Sequence, residues 1–211
     1  MTYNLLPMTY VFFDLDKTLI TKNSYEIVLN VLRRRRIISI FKFFYYKFIL
    51  FFTRNIDKKM KTLAHVFKGV EVIRLDKIMK AFIFTEFDSI KNIKAVEELE
   101  KHNTHNKKVV LVTTSFEPIA KFAARFFHIH DYVATKLEVI NGKYTGKISG
   151  KINYKDEKVL RLEKYNFNGS FAYSDHNSDI PLLKKATYRY TVNPNKKLRM
   201  YAKNHGWFII E

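Results

Sequence analysis

The chain has 211 residues, 47% of them hydrophobic, which is enough to bury one sizeable core with a small inserted domain. The absence of cysteine excludes disulfides and thiolate metal sites and fits a reducing compartment, so we expect a cytoplasmic protein. Lysine and arginine number 38 against 20 acidic residues, and the net charge of +18 favours nucleic acid, an acidic membrane surface or phosphorylated substrates as partners.

Near the N-terminus a short hydrophobic run is followed by two carboxylates. Tyr10–Phe13 are aromatic or β-branched, which is typical of a buried strand, and Asp14 and Asp16 follow directly. Side chains two apart on a strand point the same way, so the pair needs a cation or shared protons. This arrangement indicates a Mg²⁺ site beside a carboxylate that can attack phosphorus, although a strand entering a polar turn would look the same.

The next two segments are predicted helices, and the second is unusually aromatic. Residues 23–36 have an apolar stripe at helical spacing and end in four arginines. Residues 37–52 contain only Lys42 and Lys47 as charged residues, and Arg54 follows. This stretch is shorter than the ~20 residues of a spanning helix, and its lysines argue further against a span. We expect a helix in the headgroup region of an anionic leaflet or, alternatively, a cap helix packed on its neighbours.

Helices and short strands then alternate along the rest of the chain. Predicted helices cover 56–88 (as a pair), 90–103, 117–127 and 156–165, with another beginning at 182. Predicted strands cover 109–112, 132–134, 171–173 and 188–192, with a hairpin of 137–140 and 143–148 around Asn141-Gly142. The alternation predicts an α/β fold in which helices cover both faces of a parallel sheet.

Polar side chains follow three of the predicted strands. Besides the first pair of carboxylates, Thr113 follows the strand 109–112, and Asp175 and Asp179 lie in a loop after the strand 171–173. Ligands of such sheets bind outside the carboxyl ends of the strands, so we expect these side chains to share one site. Thr113, just before a helix, is well placed to bind a phosphate oxygen, with a simple helix N-cap as the alternative.

The order of these motifs resembles the haloacid dehalogenase-like hydrolases. The shared features are an Asp-x-Asp-x-Thr motif, a hydrophobic strand ending in threonine, a lysine and an Asp-x-x-x-Asp loop. Within that superfamily the chain is similar to the phosphoserine phosphatase-like branch, subfamily IB. The segments at 173–175, 181–183 and 192–194 resemble the phosphatidylglycerophosphatase C-like group more closely. The likeness extends over about residues 10–197.

The resemblance implies a Rossmann-like catalytic core formed by residues 1–20 and 89–211, with a small helical cap at 21–88. It also implies the site roles. Asp14 would be the nucleophile, and Asp16 would protonate the leaving alcohol and later activate water. Thr113 and Lys158 would bind the phosphoryl group.

The remaining implied roles concern the metal and its surroundings. Mg²⁺ would be bound by Asp14, Asp175 and the backbone carbonyl of Asp16. Asp179 and Thr18 would support the site. Lys155 competes with Lys158 for the lysine role, and Glu157-Lys158-Val159 fits the pattern of the closer group better.

We therefore expect a Mg²⁺-dependent phosphatase that forms an aspartyl-phosphate. Its substrate would be a lipid phosphate such as phosphatidylglycerophosphate. The protein would contact the inner face of the membrane through residues 33–54. The alternatives are a soluble metabolite (phosphoserine or histidinol phosphate) and a non-catalytic basic protein of the membrane surface. Asn23 stands where phosphoserine phosphatases carry a glutamate, which weakens the phosphoserine reading. The lysines are scattered along the chain, which argues against nucleic acid as a partner. The sequence does not indicate an oligomeric state.

Overall fold

A six-stranded parallel sheet forms the centre of the molecule. The structure is a computed structural model, and it describes residues 8–105 and 107–211. The first seven residues of the predicted core segment 1–20 lie outside the described residues. The eight strands are β1 (Tyr10–Phe13), β2 (Lys108–Phe116), β3 (Asp131–Thr135), β4 (Leu137–Ile140), β5 (Lys143–Ile148), β6 (Phe171–Ser174), β7 (Tyr188–Val192) and β8 (Phe208–Ile210). The sheet order is β3-β2-β1-β6-β7-β8, and β4 pairs with β5 in a separate antiparallel hairpin.

The central position of β1 follows from its sequence. Val11, Phe12 and Phe13 are fully buried, as expected for a parallel strand covered on both faces. Phe13 pairs with Leu111 of β2 and Tyr173 of β6, so the carboxyl ends of these three strands lie side by side.

Helices cover both faces of this sheet. They are α1 (Ser24–Arg34), α2 (Ile40–Phe52), α3 (Ile56–His65), α4 (Val72–Glu86), α5 (Ile93–Thr104), α6 (Glu117–Phe126), α7 (Asp156–Leu160), α8 (Ile180–Lys185) and α9 (Lys196–Asn204). Val11 and Phe13 belong to a hydrophobic cluster that extends into the helices after β1, whereas Phe12 belongs to a second cluster with α8 and α9. The predicted α/β fold, with a helical cap region after the first strand, is therefore confirmed.

Three predicted elements have different limits in the structure. Strand β2 continues through Thr113 to Phe116, so this threonine lies within the strand rather than after it. Helix α7 ends at Leu160 instead of 165, because the chain continues in turns of the i→i+3 type. The apolar tail at 206–210, for which we predict no strand, contributes β8, which pairs with β7; the predicted strand 188–192 is therefore not the last strand of the sheet.

The hairpin β4-β5, whose limits agree with the prediction, is bonded to the cap region. The amide of Gly69 donates to Tyr144 O at 2.8 Å, and the amide of Tyr144 donates to Val70 O at 2.9 Å. A Cβ atom on Gly146, which has φ +84°, would lie 2.9 Å from Cβ of Lys68. The hairpin thus contacts one side of the cap region and holds it in place.

Candidate active site

The predicted site residues gather at the carboxyl end of the sheet. Asp14 and Asp16 follow β1, Thr113 lies in β2, and Asp175 and Asp179 follow β6. All five line one cavity of about 470 Å³ between the sheet and the cap region. The structure therefore places the three polar clusters in one site, as the strand-end argument predicts.

Lys158 lines this cavity and contacts two of its carboxylates. Its Nζ atom lies 2.8 Å from Oδ1 of Asp14 and 2.9 Å from Oδ2 of Asp179, and the residue is 1% exposed. Burial alone would lower the pKa of Lys158, but the two carboxylates outweigh burial and raise it. This lysine is therefore a permanently charged group beside Asp14. Lys155 is exposed, with its ammonium over the ring of Tyr154.

Asp14 lies among more negative than positive groups. Burial raises the pKa of its carboxyl, Lys158 opposes this, and Asp179, Asp175 and Asp16 add to the increase. Without another cation, four carboxylates thus share a single buried ammonium group, and an additional positive charge would stabilise the ionised form of Asp14.

Two serines that sequence reasoning did not identify hold Asp16. The amide of Ser24 donates to Oδ1 at 2.7 Å, and the hydroxyls of Ser24 and Ser115 lie 3.2 and 2.8 Å from Oδ2. The two hydroxyls are also 2.7 Å apart, so Ser24 can donate to the carboxylate directly or through Ser115. Burial raises the pKa of Asp16, and these hydrogen bonds partly offset the effect.

Thr113 and Thr18 have different environments. The Thr113 hydroxyl lines the cavity and accepts a hydrogen bond from the Ser115 amide at 3.1 Å. Buried Asn153 donates to Thr113 O at 2.8 Å and thereby fixes this part of β2. The Thr18 side chain is fully buried, and its hydroxyl has no partner within the described ranges. Thr18 therefore belongs to the motif but makes no hydrogen bond to the carboxylates in the described part of the chain.

The donor atoms at this site fit a hard divalent cation. The available ligands are carboxylate oxygens, the type Mg²⁺ prefers, and Oδ1 of Asp179 is buried without a partner in the described part of the chain. Burial and Asp179 raise the pKa of Asp175 to about 7, so a bound cation would stabilise its charge. No three acidic or histidine side chains of residues 8–105 and 107–211 enclose a metal alone. Mg²⁺ typically completes its shell with water and phosphate oxygens.

The cap side of the cavity is cationic. Arg54 and Lys59 line it, Lys17 lines the same cavity from the loop after β1, and no ion pair involves any of the three in the described structure. The Lys59 ammonium instead donates to the hydroxyl of Tyr25 at 3.1 Å. The neutral Asn23 lines this side of the cavity and donates a hydrogen bond to Glu26, which is not part of the lining. This wall favours an additional negative charge on a bound molecule.

The carboxyl end of the parallel sheet thus holds a carboxylate beside a buried lysine and a second carboxylate bound by hydroxyls. This combination is suited to the hydrolysis of phosphoryl groups. Comparison with known families gives the same class. Residues 11–184 match the family of haloacid dehalogenase-like hydrolases, and the chain belongs to this family.

Several curated proteins are similar to most or half of the chain. A probable phosphatase of Mycobacterium tuberculosis is 28% identical over 218 residues, which cover 96% of this chain and 75% of the relative. The "Inhibition of morphological differentiation protein" of Streptomyces azureus is also 28% identical, covering 98% of this chain and 79% of that protein. A histidinol-phosphatase of Neisseria meningitidis is 26% identical over 53% of this chain and 55% of its own length.

Solved structures show the same fold. A Bordetella pertussis protein of unknown function has a TM-score of 0.87 and 24% identity, covering 97% of this chain and 99% of that chain. A phospho-aspartyl intermediate analogue of phosphoserine phosphatase has a TM-score of 0.62 and 18% identity, with 97% and 93% covered. Family and relatives together identify the chain as a phosphatase of the haloacid dehalogenase-like class with phosphoserine phosphatase-like homologues.

Proposed function

We propose that the protein hydrolyses a phosphomonoester by way of an aspartyl-phosphate on Asp14. The contact that supports this proposal most directly is the one between Lys158 and Asp14, 2.8 Å long and buried. The ammonium opposes the effect of burial, which raises the pKa of Asp14, and it offsets negative charge as an oxygen of Asp14 attacks phosphorus. In this step the Asp14–phosphorus bond forms and the bond from phosphorus to the alcohol oxygen breaks.

Asp16 supplies the proton transfers. Its carboxyl gives a proton to the departing alcohol oxygen, and the resulting carboxylate takes a proton from the water that cleaves the aspartyl-phosphate. Ser24 and Ser115 hold the group in one orientation during both steps. A proton is therefore returned to Asp16 at the end of each cycle.

The phosphoryl oxygens are bound by Thr113 and Lys158 in this proposal. Asp14, Asp175 and the backbone carbonyl of Asp16 would hold Mg²⁺, and Asp179 positions Lys158 through its 2.9 Å contact. The cation would supply charge neutralisation for the phosphate. Residues 21–88 serve as the cap and exclude water from the reacting groups, with 1–20 and 89–211 as the catalytic core.

Two substrate classes have specific support. Relatives named as histidinol-phosphatase and phosphoserine phosphatase favour a soluble metabolite. The cationic cap wall and the apolar surface of α2 favour an anionic phospholipid phosphate such as phosphatidylglycerophosphate, in agreement with the phosphatidylglycerophosphatase C-like motifs. In the lipid version of the proposal, the enzyme acts at the inner, cytoplasmic face of the membrane.

The test is phosphate release in the presence of Mg²⁺ by the wild type and Asp14→Asn. The substrates are phosphatidylglycerophosphate in mixed micelles, phosphoserine and histidinol phosphate, and the best of them decides between the classes. Asp88→Asn, which changes an exposed acid, is the matched control and should retain full turnover. Equal turnover by wild type and Asp14→Asn would contradict the assignment of the nucleophile. A folded wild type that releases no phosphate would favour the non-catalytic membrane-surface protein.

A further inference from the structure

Helix α2 presents a large apolar face to solvent. Of its 13 residues, three are buried against the rest of the cap region: Phe43, Tyr46 and Leu50. Seven large apolar side chains of the same helix are each at least 44% exposed: Ile40, Phe41, Phe44, Tyr45, Phe48, Phe51 and Phe52. A contiguous patch of this kind marks an interaction surface in a folded protein.

The orientation of this face is fixed by contacts on the opposite side of the helix. The hydroxyl of Tyr46 lies 3.0 Å from Nδ1 of His65 in α3, and the guanidinium of Arg33 lies over the ring of Phe43. Rotating α2 to hide the exposed aromatic residues would break these contacts. The exposed face is therefore a permanent feature of the folded cap region.

The chain segment that forms the apolar face and its flanks carries charge of one sign, and Arg34 of this segment pairs with Glu86 of α4 at 3.5 Å. Residues 27–56 contain no aspartate or glutamate. The same segment contains seven basic residues: Arg33, Arg34, Arg35, Arg36, Lys42, Lys47 and Arg54. An apolar helix surface bordered by cations matches a bilayer that offers acyl chains below a layer of anionic headgroups.

We propose that α2 docks the enzyme flat on an anionic bilayer, with its aromatic face at the level of the headgroups. With 13 residues the helix is about 20 Å long. None of the helices in the described ranges has the length and hydropathy needed to cross a membrane. Lying along the surface is the arrangement that buries its apolar side chains.

A second copy of the chain fits this surface less well than a bilayer does. Pairing two apolar faces would bring exposed basic residues of both segments, such as Lys42, close together, and like charges at an interface repel. An anionic bilayer neutralises these charges instead. Charge complementarity therefore favours the membrane as the partner.

Docking through α2 would also orient the cavity. Thr53 and Arg54 directly follow the helix and line the mouth of the cavity on its cap side. A lipid headgroup next to the docked helix would meet Arg54 and then the cationic wall. The inference deepens the proposed function by naming where the substrate is presented, and it rests on that function for this last step alone.

The experiment is vesicle flotation, which needs no catalytic turnover. Vesicles contain phosphatidylcholine alone or with about one third phosphatidylglycerol, and we expect strong preference for the anionic ones. The charge-removing variant Lys42→Gln/Lys47→Gln should weaken this binding by roughly 25-fold, because each basic residue at such a surface contributes roughly fivefold. Phe41→Ser/Phe48→Ser/Phe51→Ser should abolish flotation, whereas Ile73→Ser/Phe84→Ser, exposed apolar residues of α4, should float like the wild type.

Sedimentation and circular dichroism of each variant show whether it is folded and monomeric. A folded wild type that does not float, or that floats equally with neutral vesicles, would overturn the inference. So would a dimer of the wild type that the Phe41→Ser/Phe48→Ser/Phe51→Ser variant dissociates. Phosphate release from a soluble ester is measured separately. Turnover without flotation contradicts docking alone, and flotation without turnover contradicts the proposed function alone.

Discussion

The ammonium of Lys158 lies 2.8 Å from a carboxylate oxygen of Asp14, although 144 residues separate them in the chain. Both groups are buried, so their attraction is screened less than that of a surface ion pair. The pair joins the first strand of the sheet to α7, and it places a fixed positive charge beside the proposed nucleophile.

Removal of this charge should remove activity. We expect Lys158→Met to lower kcat about 10²- to 10³-fold, the effect typical of losing one electrostatic group at a transition state. Lys155→Met, three residues away and exposed, should retain turnover. Steady-state phosphate release measures both, with circular dichroism to show that Lys158→Met is folded. A large loss in Lys155→Met with normal Lys158→Met activity would reverse the assignment.

Replacement of the acid should separate the two chemical steps. In Asp16→Asn, p-nitrophenyl phosphate can still phosphorylate Asp14, because p-nitrophenolate leaves without a proton. Water activation is lost, so about one equivalent of p-nitrophenolate should appear in a burst, followed by slow turnover. Stopped-flow absorbance measures the burst, and Asp14→Asn is the control without one. Asp16→Asn with wild-type steady-state turnover would exclude the acid-base role.

The cationic wall predicts selectivity for a second negative charge. Phosphoglycolate and ethyl phosphate differ by a carboxylate at similar length. In Lys59→Met the ratio of their kcat/KM values should fall about tenfold, as expected for the loss of one charged hydrogen bond. Lys58→Met changes an exposed neighbour outside the cavity and should keep the wild-type ratio. The same ratio of kcat/KM values in the wild type, Lys59→Met and Lys58→Met would show that Lys59 does not contact the substrate.

His102 should make stability depend on pH. Its spacing from His105 is one a metal could use, but the structure buries it with Nε2 2.8 Å from the Tyr173 hydroxyl. Burial and the charge of Lys107 lower the pKa of His102 from 6.5 to about 4. The unfolded chain therefore binds more protons than the folded one, and stability from this group falls as pH decreases from 6.5 towards 4.

At pH 5 this group should cost about 2 kcal/mol relative to neutral pH. Urea unfolding at pH 7 and pH 5 measures how much the free energy of unfolding falls between the two pH values. In His102→Gln this fall should be smaller by about 2 kcal/mol. The exposed His130→Gln serves as the control. An unchanged pH dependence in His102→Gln would show that this histidine is not held neutral.

Gly146 should tolerate no side chain. In Gly146→Ala the new Cβ meets Lys68 Cβ at 2.9 Å, at a φ of +84° that L-residues rarely adopt. We expect a loss of about 2 kcal/mol or more in the free energy of unfolding, from both strain and contact. Gly150→Ala, at φ +74° with open space around it, has the backbone cost alone. The difference between the two losses in the free energy of unfolding, measured by urea unfolding, gives the cost of the contact with Lys68. Equal losses in the two variants would contradict a close contact between hairpin and cap.

The parallel sheet was predictable because its signal is local. Strands such as β1 and β2 contain short apolar runs, and the Asn141-Gly142 pair adopts the positive φ values that define the hairpin turn. The grouping of polar side chains at one edge follows from parallel topology, so the positions of Asp14 and Asp175 in one cavity could also be predicted.

The partners of Asp16 could not be predicted from the sequence. Ser24 and Ser115 are 91 residues apart, and a serine before a helix indicates a cap rather than a contact with a distant carboxylate. The early end of α7 has a similar origin. Arg161 donates to Ala134 O at 3.0 Å, a tertiary contact that helical propensity does not include. Tertiary pairing, rather than local preference, determines these details.

The two bonds from Ser24 to Asp16 have a mechanical consequence. Ser24 is the first residue of the first cap helix, so the orientation of the proposed acid depends on where the cap begins. A hinge movement that shifted this helix by about an ångström would break both bonds and leave the carboxyl held by Ser115 of β2 alone, because hydrogen bonds weaken steeply with distance. In the proposed mechanism, full alignment of the acid would then require the cap to be closed, so cleavage of the aspartyl-phosphate would be coupled to cap closure.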